Sequence, residues 1–339
     1  MVIIASYAVA VFMCIITMIC WGSWANTQKL VSGKKEWPFQ LFYWDYVIGL
    51  FVLSLILAFT MGSIGHLGRP FLADLGQASG GALFSAFIGG VIFNVSNILL
   101  VIAIDIVGLA VAFPVGVGLA LVIGVITNYI PNPIGNPFVL FIGVALVVVA
   151  IILSALAYKK LQSGESKNSN VKKGLIVALL AGILMGFFFR FVMASIGTVD
   201  YSHLIPGNLS PYTAIVIFSL GVLISNFLWN TINMYKPIAG EKCTYVDYFK
   251  KGSTSTHLVG MLGGLIWGIG TSFSIIASGA AGPSISYGLG QGATLVAAIW
   301  GVFIWKEFKG APKGTNKILT LMFFGYLIGL ALIIISKFA

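Results

Sequence analysis

Asp45 lies in "FYWDYVIG" and Arg190 in "GFFFRFVM", each inside a stretch that is otherwise apolar. An ionisable group at such a depth in a membrane is costly unless it is paired or wetted, so each is a functional candidate by default. A carboxylate there can bind and release a proton, and Asp45 is the candidate proton-coupling group. Its plainer role is an ion pair with Lys29 or Lys34, or a hydrogen-bonded cap. Arg190, near the end of its stretch, is expected to snorkel to headgroups. Neutral polar residues also recur at helical spacing. Thr17, Trp21, Trp24 and Gln28 follow a 4-3-4 pattern, and so do Trp267, Thr271, Ser274 and Ser278. Ser219, Asn226, Asn230 and Asn233 form a third stripe, and Ser284, Tyr287, Gln291 and Thr294 a fourth. Asn94 and Asn97 follow Gly90. Such spacing places side chains on one helical face.

Amides, hydroxyls and indoles suit a small, neutral, polar solute. An indole stacks on the C–H face of a sugar or on a planar heterocycle, and amides fix the polar edges. Helix–helix hydrogen bonding, at about 0.6 kcal/mol per bond in a membrane, explains any single such residue. Recurrence across both halves of the chain favours a lined cavity. The solute-binding candidates are Trp21, Trp24, Gln28, Asn94, Asn97, Asn230, Trp267, Thr271, Tyr287 and Gln291. No catalytic set accompanies them. His66, His203 and His257 stand singly, no Cys/His cluster has metal-ligand spacing, and no phosphate-binding loop motif occurs. An enzyme, a metal site and a cofactor are therefore not expected. Asp105 and Glu307 read as loop charges.

The elements that must position these residues follow from composition. Apolar residues make up 59% and charged residues 8%, against about 25% charged in soluble domains. Mean hydropathy is +1.03. Continuous apolar runs of about 20 residues predict helices rather than a barrel. The fold class is all-α: a polytopic membrane protein in a lipid bilayer. Ten transmembrane helices are predicted, near 3–29, 39–62, 81–104, 106–129, 137–158, 173–197, 211–235, 256–279, 284–305 and 315–337. The first run has no basic region before it and reads as a retained helix rather than a signal peptide. The polar linker 159–173 separates a five-helix repeat at 1–158 from another at 174–339. Cys14, Cys20 and Cys243 form no disulfide framework.

The net charge of +10 does not point to nucleic acid, because the excess is lysine in short loops. Lys29, Lys34 and Lys35, Lys159 to Lys173, Lys236 to Lys251, and Lys306 to Lys317 all fall in odd-numbered loops. The even-numbered loops hold only Arg69. Odd loops are therefore expected in the cytoplasm and both termini on the outer side of a cytoplasmic (inner) membrane.

Residues 89–129 shifted by 174 fall on 263–303 with Gly89/Gly263, Gly90/Gly264, Gly108/Gly282, Gly116/Gly290 and Gly118/Gly292 coincident. Repeats of five spans each are inverted relative to one another, the architecture of secondary transporters with a central site. "WGSWANTQKL", "FYWDYVIGLFVLSLILAFTMGSIG" followed by "GRPF", and "QGATLVAAIWGVFIWKEF" resemble the ureide permease family of the drug/metabolite transporter superfamily. Length, glycine-rich central spans and outward termini are similar to the L-rhamnose–proton symporter and the glucose/ribose porter group. The resemblance implies roles for Trp21, Gly22, Trp24, Asp45, Tyr46, Gln291, Trp300 and Glu307. It implies proton-coupled uptake, with sodium the alternative ion. On the residues' own chemistry a monosaccharide, which the resemblance implies would be of the L-rhamnose or glucose/ribose type, leads over a ureide or nucleobase such as allantoin or uracil. A multidrug exporter is a more distant alternative, and homodimerisation is left open.

Overall fold

The computed structural model describes residues 1–32, 37–161 and 171–339. Lys34, Lys35 and most of the predicted linker, Lys167 included, lie outside the described residues. All regular structure among the described residues is helical, and ten segments are long and apolar enough to cross a membrane. Span 1 comprises α1 (Tyr7–Ser23) and α2 (Ala25–Ser32). Span 2 is α3 (Phe39–Phe59), followed by the short α4 (Phe71–Gln77). Spans 3 to 5 are α5 (Gly80–Val107), α6 (Leu109–Tyr129) and α7 (Pro137–Leu161). The second half opens with α8 (Val171–Ile196) and α9 (Pro211–Tyr235), then the short α10 (Tyr245–Lys251). Span 8 is α11 (Thr254–Ala281). Span 9 comprises α12 (Pro283–Gly290), α13 (Ala293–Ile299) and a π-helical turn, Trp300–Ile304. Span 10 is α14 (Thr315–Ile335).

Helix starts follow their caps. Ser6, Ser79, Ser210 and Ser253 each accept a backbone N–H of the first turn, which satisfies a donor that has no intrahelical partner. This is why span 1 begins at Tyr7 rather than near residue 3. Two spans tighten locally without losing helical backbone angles: in span 1 Thr27 N–H donates to Trp24 O, and in span 9 Gly292 N–H donates to Leu289 O, each three residues back.

The two halves pack alike. α5 packs on α8 and α9, and α11 packs correspondingly on α1 and α3, while α7 pairs with α14. The glycines of the repeat explain how. A Cβ on Gly90 would overlap the Phe218 carbonyl, and one on Gly264 the Tyr46 carbonyl. Gly221 approaches the Phe87 carbonyl and Gly49 the Met261 carbonyl in the same way. Without side chains at these points the helix backbones come into direct contact. Gly108 (φ 79°) and Gly282 (φ 89°) each end one long helix and start the next in a left-handed conformation that a Cβ would strain.

Both termini share one end of the bundle. The Met1 ammonium donates to Leu67 O at 2.7 Å, Tyr212 OH to Val2 O at 3.0 Å, and Asn136 N to Ser336 O at 2.6 Å. Lys29, Lys159, Lys250 and Lys306 lie at the opposite end, at the lysine-rich termini of spans 1, 5, 8 and 9.

Candidate functional site

A cavity of about 440 Å³ enters the bundle from the lysine-rich end, within the range of about 300–1,000 Å³ common for small-molecule sites. α1, α2, α5, α6, α7, α8, α11 and span 9 all contribute wall, so both halves build it. The tightened turns of spans 1 and 9 both lie along it, at Trp24 and Gln291. A Cβ on Gly22 would stand 2.5 Å from the Ala293 carbonyl, and one on Gly290 2.8 Å from the Trp21 ring. Close approach at these glycines brings Trp21, Trp24 and Gln28 to the same cavity as Gln291 and Thr294.

The floor is aromatic. Trp267 stacks on Phe93 with centroids 4.2 Å apart and lies nearly parallel to Trp21 at 6.0 Å. Phe188 meets Phe93 edge-on at 5.3 Å. Above the floor the lining is mostly carbon, with a small number of polar groups. Asn97 Nδ2 is buried without a hydrogen-bond partner, as is the Tyr326 hydroxyl. The Tyr43 and Thr294 side chains are their respective polar neighbours, outside hydrogen-bond geometry.

Six of the ten predicted solute-binding residues line this cavity: Trp21, Trp24, Gln28, Asn97, Trp267 and Gln291. The other four sit at helix contacts. Asn94 Nδ2 donates to Ser225 Oγ at 2.9 Å, and Asn230 Nδ2 to Gln40 O at 2.9 Å. Thr271 Oγ1 accepts from Trp21 Nε1 at 3.0 Å, holding the indole in place. Tyr287 OH reaches Met185 O at 3.2 Å and Ala120 O at 3.3 Å.

The cavity mouth carries charges that loop position alone did not place there. Glu307 Oε1 pairs with Lys29 Nζ at 2.9 Å, and Oε2 accepts from Tyr158 OH at 2.7 Å. Burial pushes the Glu307 carboxyl up, but bonds from Tyr158 and Lys29 and the lysine charge outweigh it, so the net direction is down. Trp300 Nε1 donates to Ser23 Oγ and Trp305 Nε1 to Asn26 Oδ1, both at 2.8 Å. These bonds tie the end of span 9 to the end of span 1. Asp105 is exposed at the same mouth.

Asp45 lies outside the cavity lining, between α3, α10 and α11. It is 2% exposed. Its Oδ1 accepts from Tyr248 OH at 2.5 Å and from His257 Nδ1 at 2.9 Å. Lys29, one suggested partner, binds Glu307 instead, and Lys34 lies outside the described residues. Sequence reading passed over His257 and Tyr248, which stand 212 and 203 residues from Asp45. A histidine four residues into a helix, on a face with Gly260 and Gly264, was the available signal. Among the described residues no group of His, Cys, Asp or Glu is arranged to hold a metal.

Known proteins bear on this geometry. Ureide permease 4 of Arabidopsis thaliana is 22% identical over 402 residues, covering 99% of each chain. Probable ureide permease A3 of Vigna unguiculata is 25% identical, covering 87% of this chain and 94% of its own. Probable glucose uptake protein GlcU of Priestia megaterium is 24% identical over 79% of this chain and 88% of its own. One solved crystal structure aligns with a TM-score of 0.55 over 96% of this chain and 98% of that one, at 14% identity, a likeness of fold alone. The ureide permease family model matches residues 42–173 and 162–336. With nearly the whole sequence matched, the chain belongs to the ureide permease family, and it is a multi-pass membrane transporter of small polar solutes rather than an enzyme.

Proposed function

We propose that the protein is a proton-coupled importer of a planar ureide or nucleobase-type solute, ahead of the monosaccharide that the residue chemistry alone favoured. The observation that carries this reading is the cavity wall: aromatic and aliphatic carbon around a few amides, Asn26, Gln28, Asn97 and Gln291. A planar heterocycle has two apolar faces and a polar edge, which this wall complements. A monosaccharide presents hydroxyls on most sides, whereas the polar lining groups, Asn26, Gln28, Asn97, Ser154, Gln291 and Thr294 among them, are set thinly in a wall that is mostly carbon. The names of the ureide permease relatives favour the same class.

The second reading, a monosaccharide, draws on the glucose uptake relatives. Trp21 and Trp267 would then stack on the sugar's C–H face. Asp45 is the coupling carboxylate in either case, with sodium the alternative ion. The lysine-rich end faces the cytoplasm of a cell whose inner membrane holds the protein, and both termini face outward. The cavity is then open inward, and rocking of the two halves about Phe93 and Trp267 opens it to the other side. Thermal-shift measurements with allantoin, uracil, glucose and L-rhamnose test the solute class. Stabilisation by the first two supports the reading, and stabilisation by the sugars alone overturns it.

A further inference from the structure

Asp45 has no direct route to water. At 2% exposure it lies under Gly260 of α11, where a Cβ would stand 2.5 Å from the Asp45 Cβ and 3.0 Å from Oδ2. The α11 backbone therefore closes one side of the carboxylate. Tyr248 of α10 and His257 of α11 close the other. His257 is different from its neighbours. Its side chain is 27% exposed, and its Nδ1 lies 2.9 Å from Oδ1 and 3.1 Å from Oδ2. A carboxylate accepts, so Nδ1 carries the hydrogen, and in the neutral ring Nε2 then has the free lone pair. Nε2 points toward Gly252, where a Cβ would overlap it. The imidazole thus spans from the carboxylate to the edge of the bundle at the lysine-rich end.

We propose that Asp45 exchanges its proton with the solution at that end through His257. A proton from water adds to Nε2, the Nδ1 hydrogen passes to an Asp45 oxygen, and the ring is left neutral with its hydrogen on Nε2. One proton enters and one carboxylate charge is cancelled. The reverse sequence releases it. Imidazole suits this task because its two nitrogens accept and donate in turn near neutral pH. Tyr248 does not suit it: burial first, then the bond to Asp45, push its hydroxyl well above the usual tyrosine range.

The charged side chains on the neighbouring elements are Asp247, Lys250 and Lys251 of α10 and Lys29 of α2. On α10, Asp247 and Lys251 engage each other at 3.0 Å. On α2, Lys29 engages Glu307. α9 carries no acidic or basic residue. Trp37 packs edge-on against the His257 ring at 5.1 Å and against Tyr248 at 5.7 Å, which fixes the imidazole in register with Asp45.

The relay rests on Asp45 being the coupling carboxylate, and one experiment separates the two ideas. The full-length protein in liposomes, with no solute present, receives a rapid pH jump while infrared absorption follows the protonated-carboxyl band. That band is assigned to Asp45 by its loss in Asp45→Asn. His257→Gln is expected to keep the band and slow its appearance about a hundredfold, the scale of general acid–base assistance. Tyr248→Phe is expected to leave the rate essentially unchanged. Where His257→Gln fails to fold, Gly252→Ala, which covers Nε2 and keeps the histidine, is expected to slow exchange as well. A band that appears in His257→Gln, or in Gly252→Ala, as fast as in the wild type overturns the relay and leaves Asp45 as the coupling group. A wild-type protein with no such band at any pH overturns both.

Discussion

Phe93 and Trp267 stack with ring centroids 4.2 Å apart, and they are the same position of the two repeats, separated by 174 residues. Each is ringed by corresponding partners. Trp267 meets Trp21 and Tyr46, and Phe93 meets Phe188 and Phe218. The pseudo-twofold relation therefore passes through the cavity floor. A movement that opens one side of this pair and closes the other exchanges the roles of the halves.

Trp267→Ala removes the indole that lines the cavity floor and is proposed to stack on the solute. Stacking on an aromatic side chain is worth about 1–3 kcal/mol per planar base, so affinity is expected to fall about tenfold to a hundredfold. Trp267→Phe, which keeps a ring, is expected to lose less. Equilibrium binding of radiolabelled solute to the purified protein measures both.

Gly264→Val and Gly90→Val place side chains where carbonyls of Tyr46 and Phe218 now lie. Each is expected to push two helices apart at a cost of about 1–3 kcal/mol or more. Lower melting temperatures and loss of monodisperse protein are the expected outcomes. Gly118→Ala, with open space around its Cβ, is expected to leave both unchanged.

The Glu307 bridge carries a pH signature. A carboxyl held below its unfolded value stabilises the fold above that value and loses the contribution as pH falls through the folded value. Lys29 is 50% exposed, so solvent screening limits the bridge to about 1 kcal/mol or less. Glu307→Gln is expected to lower the melting temperature slightly at pH 7. The difference between the two proteins is expected to shrink as pH falls below the ordinary glutamate value of about 4.3 and to vanish only below the depressed folded value.

Topology is testable with thiols. Burial first, then the Asp247 charge, push the Cys243 thiol up to about 11, against a smaller pull from Lys251. It stays protonated and slow to alkylate at neutral pH. Against that low background, His66→Cys is expected to react with an impermeant maleimide added outside intact cells. Lys250→Cys is expected to react only after the membrane is opened.

Much of the scaffold was legible in the residues. Apolar runs located all ten spans, and the glycine matches at a shift of 174 located the equivalent helix crossings. Composition could not show where helices tighten: Trp24 and Gln291 sit in runs that read as regular helix. Periodicity also could not divide the polar stripes. Thr271 and Trp21 carry the same 4-3-4 signature, yet one bonds the other. Only the packed neighbour decides which polar group meets the cavity. The Asp45–His257 pair was hidden for the same reason, since its members belong to different repeats.

The central claim is that a planar polar solute is driven through this cavity by a proton gradient. Accumulation of radiolabelled allantoin or uracil in liposomes under an imposed pH gradient tests it most directly. Wild-type protein is expected to accumulate the solute, to lose accumulation when a protonophore is added, and to lose most of it in Trp267→Ala. Accumulation of glucose or L-rhamnose alone, or undiminished uptake by Trp267→Ala, would contradict the account.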